Sequence, residues 1–216
     1  MEESGHRRHR ALLALAGVLV VQGIQVAAVF DPGPHTGGDN AGYIALGHSI
    51  LDRGAYLELW DPAESPHTKY PPVFPILLAG AMALGVKSWV GLKGVSVAAT
   101  MLAAVFTFLW VREREHWILA AGVTLLFAAS NAVLDYSRWI LSDPTFLAFT
   151  VGGLWALDRS RRNPKQALFL ALGSLLVVLA YFTRSAGLPL VLAVGLWLGL
   201  ERRWKVLAAY SAGFLA

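Results

Sequence analysis

Long apolar runs alternate with short polar segments along most of the chain, and this pattern predicts a series of membrane-spanning helices. A helix that crosses a hydrocarbon core of ~30 Å needs roughly 20 residues at 1.5 Å each. The predicted spans cover residues 11–30, 89–111, 117–134, 144–157, 167–182, 186–200 and 206–216. Between the first two spans, residues 31–88 form a long loop with helical patterns at Tyr43–Leu51 and Val73–Leu84. We therefore predict an all-α integral membrane protein, a multi-span helical bundle in one domain over residues 1–216, whose long first loop contains juxtamembrane helices.

The composition favours the same class of protein. Of 216 residues, 56% are hydrophobic and only 15% are charged, whereas soluble domains carry about 25% charged residues. The chain has no cysteine, which excludes disulfides and zinc sites of the cysteine type. Its net charge is +4, but the basic residues lie between apolar runs, as in membrane topology signals rather than in nucleic-acid-binding proteins.

The positions of these basic residues predict the orientation in the membrane. If residues 73–85 lie on the outer surface instead of crossing, every basic cluster falls on the cytoplasmic side, as the positive-inside rule requires. The clusters are Arg7, Arg8 and Arg10, Arg112 with Arg114, Arg159–Lys165 and Arg202–Lys205. We predict a multi-pass protein of the cell membrane with a cytoplasmic amino terminus and an extracytoplasmic loop 31–88. The chain ends within an apolar run, so we also expect an amino-terminal fragment of a longer protein.

Asp39 is the first candidate for chemistry. It follows Gly37 and Gly38 and directly precedes a helical pattern. One interpretation is an N-cap whose carboxylate accepts backbone N–H bonds. The other is a carboxylate held at the membrane–water boundary as a general base for a hydroxyl nucleophile. The two roles are compatible, because capping fixes the position of the side chain.

Lys69 and Tyr70 precede a proline pair and the surface helix, at the boundary between polar and apolar sequence. They are either interfacial anchors that extend to lipid headgroups or ligands for the phosphate of a lipid-linked substrate.

Three further ionisable residues lie at the outer ends of predicted spans. Arg138 and Asp143 form a simple ion pair in one interpretation, and Asp143 before Pro144 is also a plausible helix start. Arg184 lies on the side that the positive-inside rule keeps poor in basic residues, and its guanidinium suits bidentate phosphate binding. Carboxylates that accept a proton, beside cations that stabilise a departing phosphate, suit transfer from a phosphate-activated lipid.

The histidines show no metal-binding spacing, and phosphate-loop and nucleophile-elbow motifs are absent from the sequence. We therefore predict neither a metal site nor a cofactor; a divalent metal is not indicated.

At the level of motifs, the sequence resembles the amino-terminal half of GT-C glycosyltransferases. It is most similar to the protein O-mannosyltransferase and aminoarabinose-transferase-like group, including the bacterial RgtA/B/C/D-like domain. The motifs occur in the family's order: Gly38-Asp39-Asn40-Ala41-Gly42-Tyr43, Gly54-Ala55-Tyr56, Tyr70-Pro71-Pro72-Val73-Phe74-Pro75, Leu84-Gly85, Ser137-Arg138, Asp143 and Thr183-Arg184-Ser185-Ala186-Gly187-Leu188.

The resemblance implies an inverting enzyme that moves a sugar from a polyprenyl-phosphate donor to a lipid, glycan or protein acceptor on the extracytoplasmic face. It implies that Asp39 is the general base, that Asp143 is a second acidic residue near the acceptor, and that Lys69 contacts the donor phosphate. Tyr43 and Tyr70 complete the expected binding set, with Arg138 and Arg184. Asn40 departs from the pair of acids found in the mannosyltransferases.

Two other functions stay open. A transporter or flippase subunit would use the same cations to handle a lipid phosphate without chemistry, and an inactive scaffold would keep only the fold. The predicted complete spans contain no charged residue except Lys93 near one end, whereas transporters place ionisable residues or broken helices near the membrane centre. This pattern favours chemistry at the outer face.

Overall fold

The computed structural model describes residues 2–35, 38–162 and 165–215. Gly37, in the predicted loop motif, and Ala216, at the end of the last predicted span, lie outside the described residues. The described part forms ten α-helices and no strand: α1 (Glu2–Val29), α2 (Asn40–His48), α3 (Val73–Ala83), α4 (Trp89–Arg112), α5 (Trp117–Ala128), α6 (Asn131–Ser137), α7 (Asp143–Ser160), α8 (Gln166–Thr183), α9 (Leu188–Leu200) and α10 (Trp204–Leu215). A π-helical turn, Ser49–Arg53, extends α2, and a 3-10 turn, Ser185–Gly187, precedes α9.

Several of these helices have the length and composition of membrane spans. Among the described residues, three helical segments are long and apolar enough to cross: Arg8–Val29, Trp89–Arg112 and Gln166–Thr183. The bent pair of α5 and α6 provides a fourth if it is counted as one span. The predicted all-α integral membrane bundle is confirmed, and α2 and α3 occupy the two helical patterns predicted in the long loop. The crossing of the membrane by α7, α9 and α10 stays a prediction.

The third predicted span is interrupted. The sequence predicts one helix over residues 117–134, whereas the structure has two helices bent by 61° between Ala128 and Asn131. Ser130 has extended backbone angles, with φ −64° and ψ 129°, and so cannot continue the helix. The segment that follows α6 contacts the loop that carries the candidate site, since the Ile140 N–H donates a hydrogen bond to Asn40 Oδ1.

Helix α7 packs most extensively against α8 and α4. Glycines allow the close approach between α7 and α8. A Cβ atom at Gly153 would lie 2.9 Å from Val177 of α8, and one at Gly173 would lie 2.7 Å from Leu157 of α7. Because no side chain fits at either contact, the two helices form a closely packed pair.

The long loop packs as a layer of helices rather than extending into solvent. Tyr43 of α2 and Phe74 and Leu78 of α3 are buried together with Leu92 of α4 and Ile140. This apolar cluster fixes α2 and α3 against the segment between α6 and α7, which is where the predicted site residues occur.

Lys93 attaches the start of the loop to α4. Its side chain is fully buried, and Nζ donates hydrogen bonds of 2.6 Å to the carbonyl oxygens of Asp31 and of Gly33. The ring of Trp139 lies 5.2 Å from the same nitrogen. The one charge inside a predicted span is thus solvated by backbone carbonyls, as buried charges require.

Candidate functional site

Three of the predicted site residues meet directly. Tyr70 donates a hydrogen bond of 2.5 Å from its hydroxyl to Oδ1 of Asp39, and the same hydroxyl accepts a hydrogen bond of 2.8 Å from Lys69 Nζ. Lys69 Nζ lies 3.9 Å from Asp39 Oδ1. A lysine and a phenol therefore lie together beside one oxygen of the carboxylate.

Asp39 does not cap its helix with its side chain. It occupies the N-cap position of α2, but its φ of −92° and ψ of 2° differ from the extended angles of most N-caps, and its side chain makes no capping hydrogen bond. The capping interpretation is therefore wrong. Within the described part of the chain, Oδ2 accepts no hydrogen bond, and the side chain is 43% exposed. One carboxylate oxygen is thus held, while the other has no hydrogen-bond partner among the described residues and belongs to a partly exposed side chain.

Hydrogen bonds between its backbone and two neighbouring residues hold Tyr70 in place. His67 Nε2 accepts a hydrogen bond of 2.8 Å from the Tyr70 N–H, and Tyr56 donates its hydroxyl to the Tyr70 carbonyl over 2.9 Å. Because Nε2 of His67 accepts this hydrogen bond, the ring N–H is on Nδ1. Nδ1–H donates a hydrogen bond of 2.9 Å to Glu58. The segment between α2 and α3 thus fixes where the Tyr70 hydroxyl points.

Asp143 and Arg184 form the second half of the site. Arg184 Nη1 lies 2.5 Å from Asp143 Oδ2 and donates a longer hydrogen bond, of 3.2 Å, to Ser142 Oγ. Ser142 Oγ also forms a hydrogen bond of 2.9 Å with the Tyr43 hydroxyl. Since the ring of Tyr43 lies 4.8 Å from that of Tyr70, one continuous cluster joins both predicted carboxylates.

The end of α8 and the turn after it fix the position of Arg184. It is the C-cap residue, with extended backbone angles, and its carbonyl accepts a hydrogen bond of 2.9 Å from the Gly187 N–H. A Cβ at Gly187 would lie 2.8 Å from the Tyr181 Cα, so the turn that follows Arg184 requires glycine.

The predicted ion pair between Arg138 and Asp143 is wrong. Arg138 pairs with Asp135 at 2.6 Å, one helical turn earlier, and its guanidinium lies 4.6 Å from the ring centre of Trp139. Asp143 begins α7, on the far side of the break after α6, and faces Arg184 of α8. In the described residues, no hydrogen bond or ion pair joins Arg138 to the cluster of Asp39 and Asp143, so its substrate-binding role stays a prediction without support from contacts.

The surroundings shift the ionisation of the cluster. Burial raises the pKa of Tyr70, and the hydrogen bond to Asp39 raises it further, while Lys69 lowers it. The hydrogen bond to Tyr70 raises the pKa of Lys69, which keeps its ammonium charged. Burial also raises the pKa of Tyr43. At neutral pH the cluster therefore contains protonated phenols and a charged lysine beside Asp39.

Two residues of the site lack a functional signal in the sequence. Ser142 joins Tyr43 to Arg184, and Asn40, which is buried, accepts a hydrogen bond of 2.7 Å from the Ile140 N–H through Oδ1. Asn40 thereby ties α2 to the segment that begins α7. Tyr43 is only 3% exposed and lies between the two halves of the cluster; its contact with a substrate stays a prediction.

Among the described residues, no three histidine, aspartate or glutamate side chains converge in a way that could hold a metal ion. The predictions about metals and cofactors stay predictions.

No family model matches the chain, and no curated protein matches it. Among solved structures, it is similar to the S. cerevisiae protein O-mannosyltransferase Pmt1-Pmt2 complex bound to the sugar donor, with a TM-score of 0.75 and 17% sequence identity. The predicted resemblance is supported at the level of the fold, which this chain shares with a protein O-mannosyltransferase.

The similarity covers 96% of this chain and 31% of that chain. The chain therefore spans less than a third of the length of the yeast protein. A likeness of this extent and identity shows a shared fold, and it leaves donor, acceptor and site residues to be tested.

Proposed function

We propose that this chain contributes the base-bearing part of a membrane glycosyltransferase, which moves a sugar from a polyprenyl-phosphate donor to a lipid, glycan or protein acceptor. The observation that carries the proposal is the geometry of Asp39, whose Oδ1 is held by Tyr70 while Oδ2 accepts no hydrogen bond from the described residues and the side chain is partly exposed. The fold shared with a protein O-mannosyltransferase supports the reaction class.

In the proposed reaction, Asp39 Oδ2 accepts the proton of the acceptor hydroxyl. The resulting oxygen nucleophile attacks the anomeric carbon of the sugar and the bond to the phosphate breaks, with inversion at that carbon. Tyr70 and Lys69 contribute by fixing the carboxylate in one orientation, since a general base must lie within hydrogen-bond reach of the proton it removes.

The departing polyprenyl phosphate requires cations. Lys69 is the most accessible one in the cluster, with 69% of its side chain exposed. Arg184 is 37% exposed, and a guanidinium has five N–H donors, so its bond to Asp143 leaves others for a phosphate oxygen. We propose that these two residues bind the donor phosphate on the extracytoplasmic face, with Asp143 orienting Arg184 near the acceptor.

The test is sugar transfer in membranes that contain the complete protein, supplied with radiolabelled polyprenyl-phosphate sugars. We expect Asp39→Asn to reduce transfer by about 10²- to 10⁴-fold, the usual contribution of a general base. Asp52→Asn is the matched control, because Asp52 is an exposed acid of the first loop whose carboxylate contacts His48. Both variants are compared at equal amounts of inserted protein.

The rival function predicts a different result. If the protein moves lipid phosphate across the membrane without chemistry, translocation of a labelled polyprenyl phosphate in proteoliposomes will proceed in Asp39→Asn as in wild type, and no sugar will be transferred. Transfer that persists in Asp39→Asn would contradict the assignment of the base.

A further inference from the structure

A second charged site lies at the other end of the bundle. Helices α4 and α7 begin beside the loop that carries Asp39 and end at Arg112 and Ser160. There, with the start of α1, they enclose a groove of about 910 Å³. The groove is lined by Arg8, Ala11, Leu12, Leu15, Phe108, Leu109, Arg112, Glu113, Arg159 and Arg162.

The groove has an excess of positive charge. Four of its lining residues are arginines and one is an acid, Glu113. Arg159 forms an ion pair with Glu113, which also accepts a hydrogen bond of 3.0 Å from Trp155 Nε1. The single carboxylate is therefore already engaged, and the groove keeps a formal excess of three positive charges.

Two arginine nitrogens in the groove lack an acceptor. Within the described part of the chain, Nε of Arg112 and Nε of Arg159 are buried and have no hydrogen-bond partner. A buried donor without a partner is costly, and donors in several arginines from different helices match the oxygens of a phosphate group.

Other arginines at this end of the bundle are paired with acids outside the groove. Arg114 lies 2.8 Å from Asp158, and Arg161 lies 2.7 Å from Glu201. Arg162 of the groove also lies 3.8 Å from Asp158, so the buried donors without a partner among the described residues of the groove are those of Arg112 and Arg159.

The rest of the lining is apolar. Ala11, Leu12 and Leu15 of α1 face Phe108 and Leu109 of α4, and Leu12 is 57% exposed. An inorganic phosphate would leave the exposed Leu12 uncovered, whereas a phospholipid would place its headgroup on the arginines and an acyl chain along the apolar wall.

We propose that this groove binds an anionic phospholipid of the adjacent leaflet, with its phosphate on Arg8, Arg112, Arg159 and Arg162. Basic pockets between transmembrane helices recognise such headgroups. The proposal is independent of the proposed transferase activity, because the groove lies at the opposite ends of α4 and α7 from Asp39.

The experiment measures lipid binding to the purified chain in a neutral detergent by native mass spectrometry. Phosphatidylglycerol is compared with phosphatidylcholine of the same acyl chains. We expect wild type to bind the anionic lipid roughly ten-fold more tightly, and Arg8→Gln with Arg112→Gln to bring the two lipids to nearly equal affinity, as follows from the attraction of basic residues to anionic headgroups. Arg161→Gln, which removes a charge at the same end but outside the groove, should keep the preference.

Two further measurements keep the test decisive. Leu12→Trp fills the apolar wall and leaves the arginines in place, so it should weaken binding of the anionic lipid even if the double variant fails to fold. Inorganic phosphate should not displace the lipid. Equal binding of both lipids to wild type, a preference that survives both groove variants, its loss in Arg161→Gln, or displacement by inorganic phosphate would each overturn the proposal.

Discussion

Tyr70 binds Asp39 through a short hydrogen bond, 2.5 Å between the phenol oxygen and Oδ1. The two residues are 31 positions apart in the chain, so the contact depends on the folding of the whole first loop. It assigns Tyr70 a role that neither of its sequence interpretations included. The phenol contacts the candidate base directly, in addition to lying near the membrane boundary.

Removing this hydroxyl should impair transfer while leaving the fold intact. We expect Tyr70→Phe to lower the rate by about ten- to a hundred-fold, the range for losing a hydrogen bond to a charged group. The measurement is the sugar-transfer assay at matched protein levels. Tyr181→Phe is the control, because the Tyr181 ring packs on Phe182 and Phe214 away from the cluster. Similar rates in both variants would exclude a role for the Tyr70 hydroxyl.

The ionisation of Tyr70 should report its two polar neighbours. Its pKa lies above the usual 10.0 because of burial and the Asp39 hydrogen bond, and Lys69 opposes this. We expect Asp39→Asn to lower the pKa of Tyr70 and Lys69→Met to raise it. The measurement is tyrosinate absorbance, and each variant is compared with the same variant that also carries Tyr70→Phe, so that the difference belongs to Tyr70. An unchanged midpoint in both variants would show that the hydrogen-bonded contacts do not form.

The sign of the linked stability follows from the same pKa. A raised phenol pKa in the folded state means that folding favours the protonated form. This contribution to stability is fully present below pH 10.0, the usual pKa of tyrosine, and is lost as the pH rises through the raised value. Thermal unfolding in detergent should therefore show wild type losing more stability than Tyr70→Phe as the pH is raised above 10.0.

A double-mutant cycle should distinguish the partners of Asp143. Arg184 and Asp143 are 37% and 27% exposed, so solvent screens their attraction, and we expect a coupling of about 0.5–1 kcal/mol between Arg184→Gln and Asp143→Asn. The cycle of Arg138→Gln with Asp143→Asn should give no coupling. Coupling in the second cycle and none in the first would restore the ion pair that the sequence suggested.

Gly187 should be intolerant of a side chain. A Cβ there would meet backbone atoms of Tyr181 at 2.8 and 2.9 Å, and backbone cannot move as a flexible side chain does. We expect Gly187→Ala to cost about 1–3 kcal/mol of stability and to reduce transfer by displacing Arg184. Gly122→Ala is the control, since nothing lies within 4 Å of its added Cβ. Equal melting temperatures for the two variants would contradict this packing.

Much of the fold was predictable because its signals are local. Apolar runs of span length and the patterns at Tyr43–Leu51 and Val73–Leu84 contain enough periodicity to indicate helices. The break near Ser130 was not predicted, because hydropathy averaged over a span does not register one extended residue between two apolar helices.

The partners within the site were less predictable. The spacing of Asp135 and Arg138 favours a pair across one helical turn, and this local rule was available. The pairing of Asp143 with Arg184 joins residues 41 positions apart, and it depends on the packing of α7 against α8. No rule of spacing indicates such a contact, just as none indicates that Ser142 lies between Tyr43 and Arg184.

If α7 crosses the membrane as the sequence predicts, its length sets the distance between two water-facing layers. Its 18 residues give a length of about 27 Å, and it has Asp143 in its first turn and Arg159 in its last. A hydrocarbon core of ~30 Å leaves such a helix no surplus length to tilt. A thicker bilayer would draw one charged end of the helix into the hydrocarbon core. A thinner bilayer would leave both charged ends in the polar layers. A change in bilayer thickness would thus change the depth of Asp143 in the membrane without any ligand.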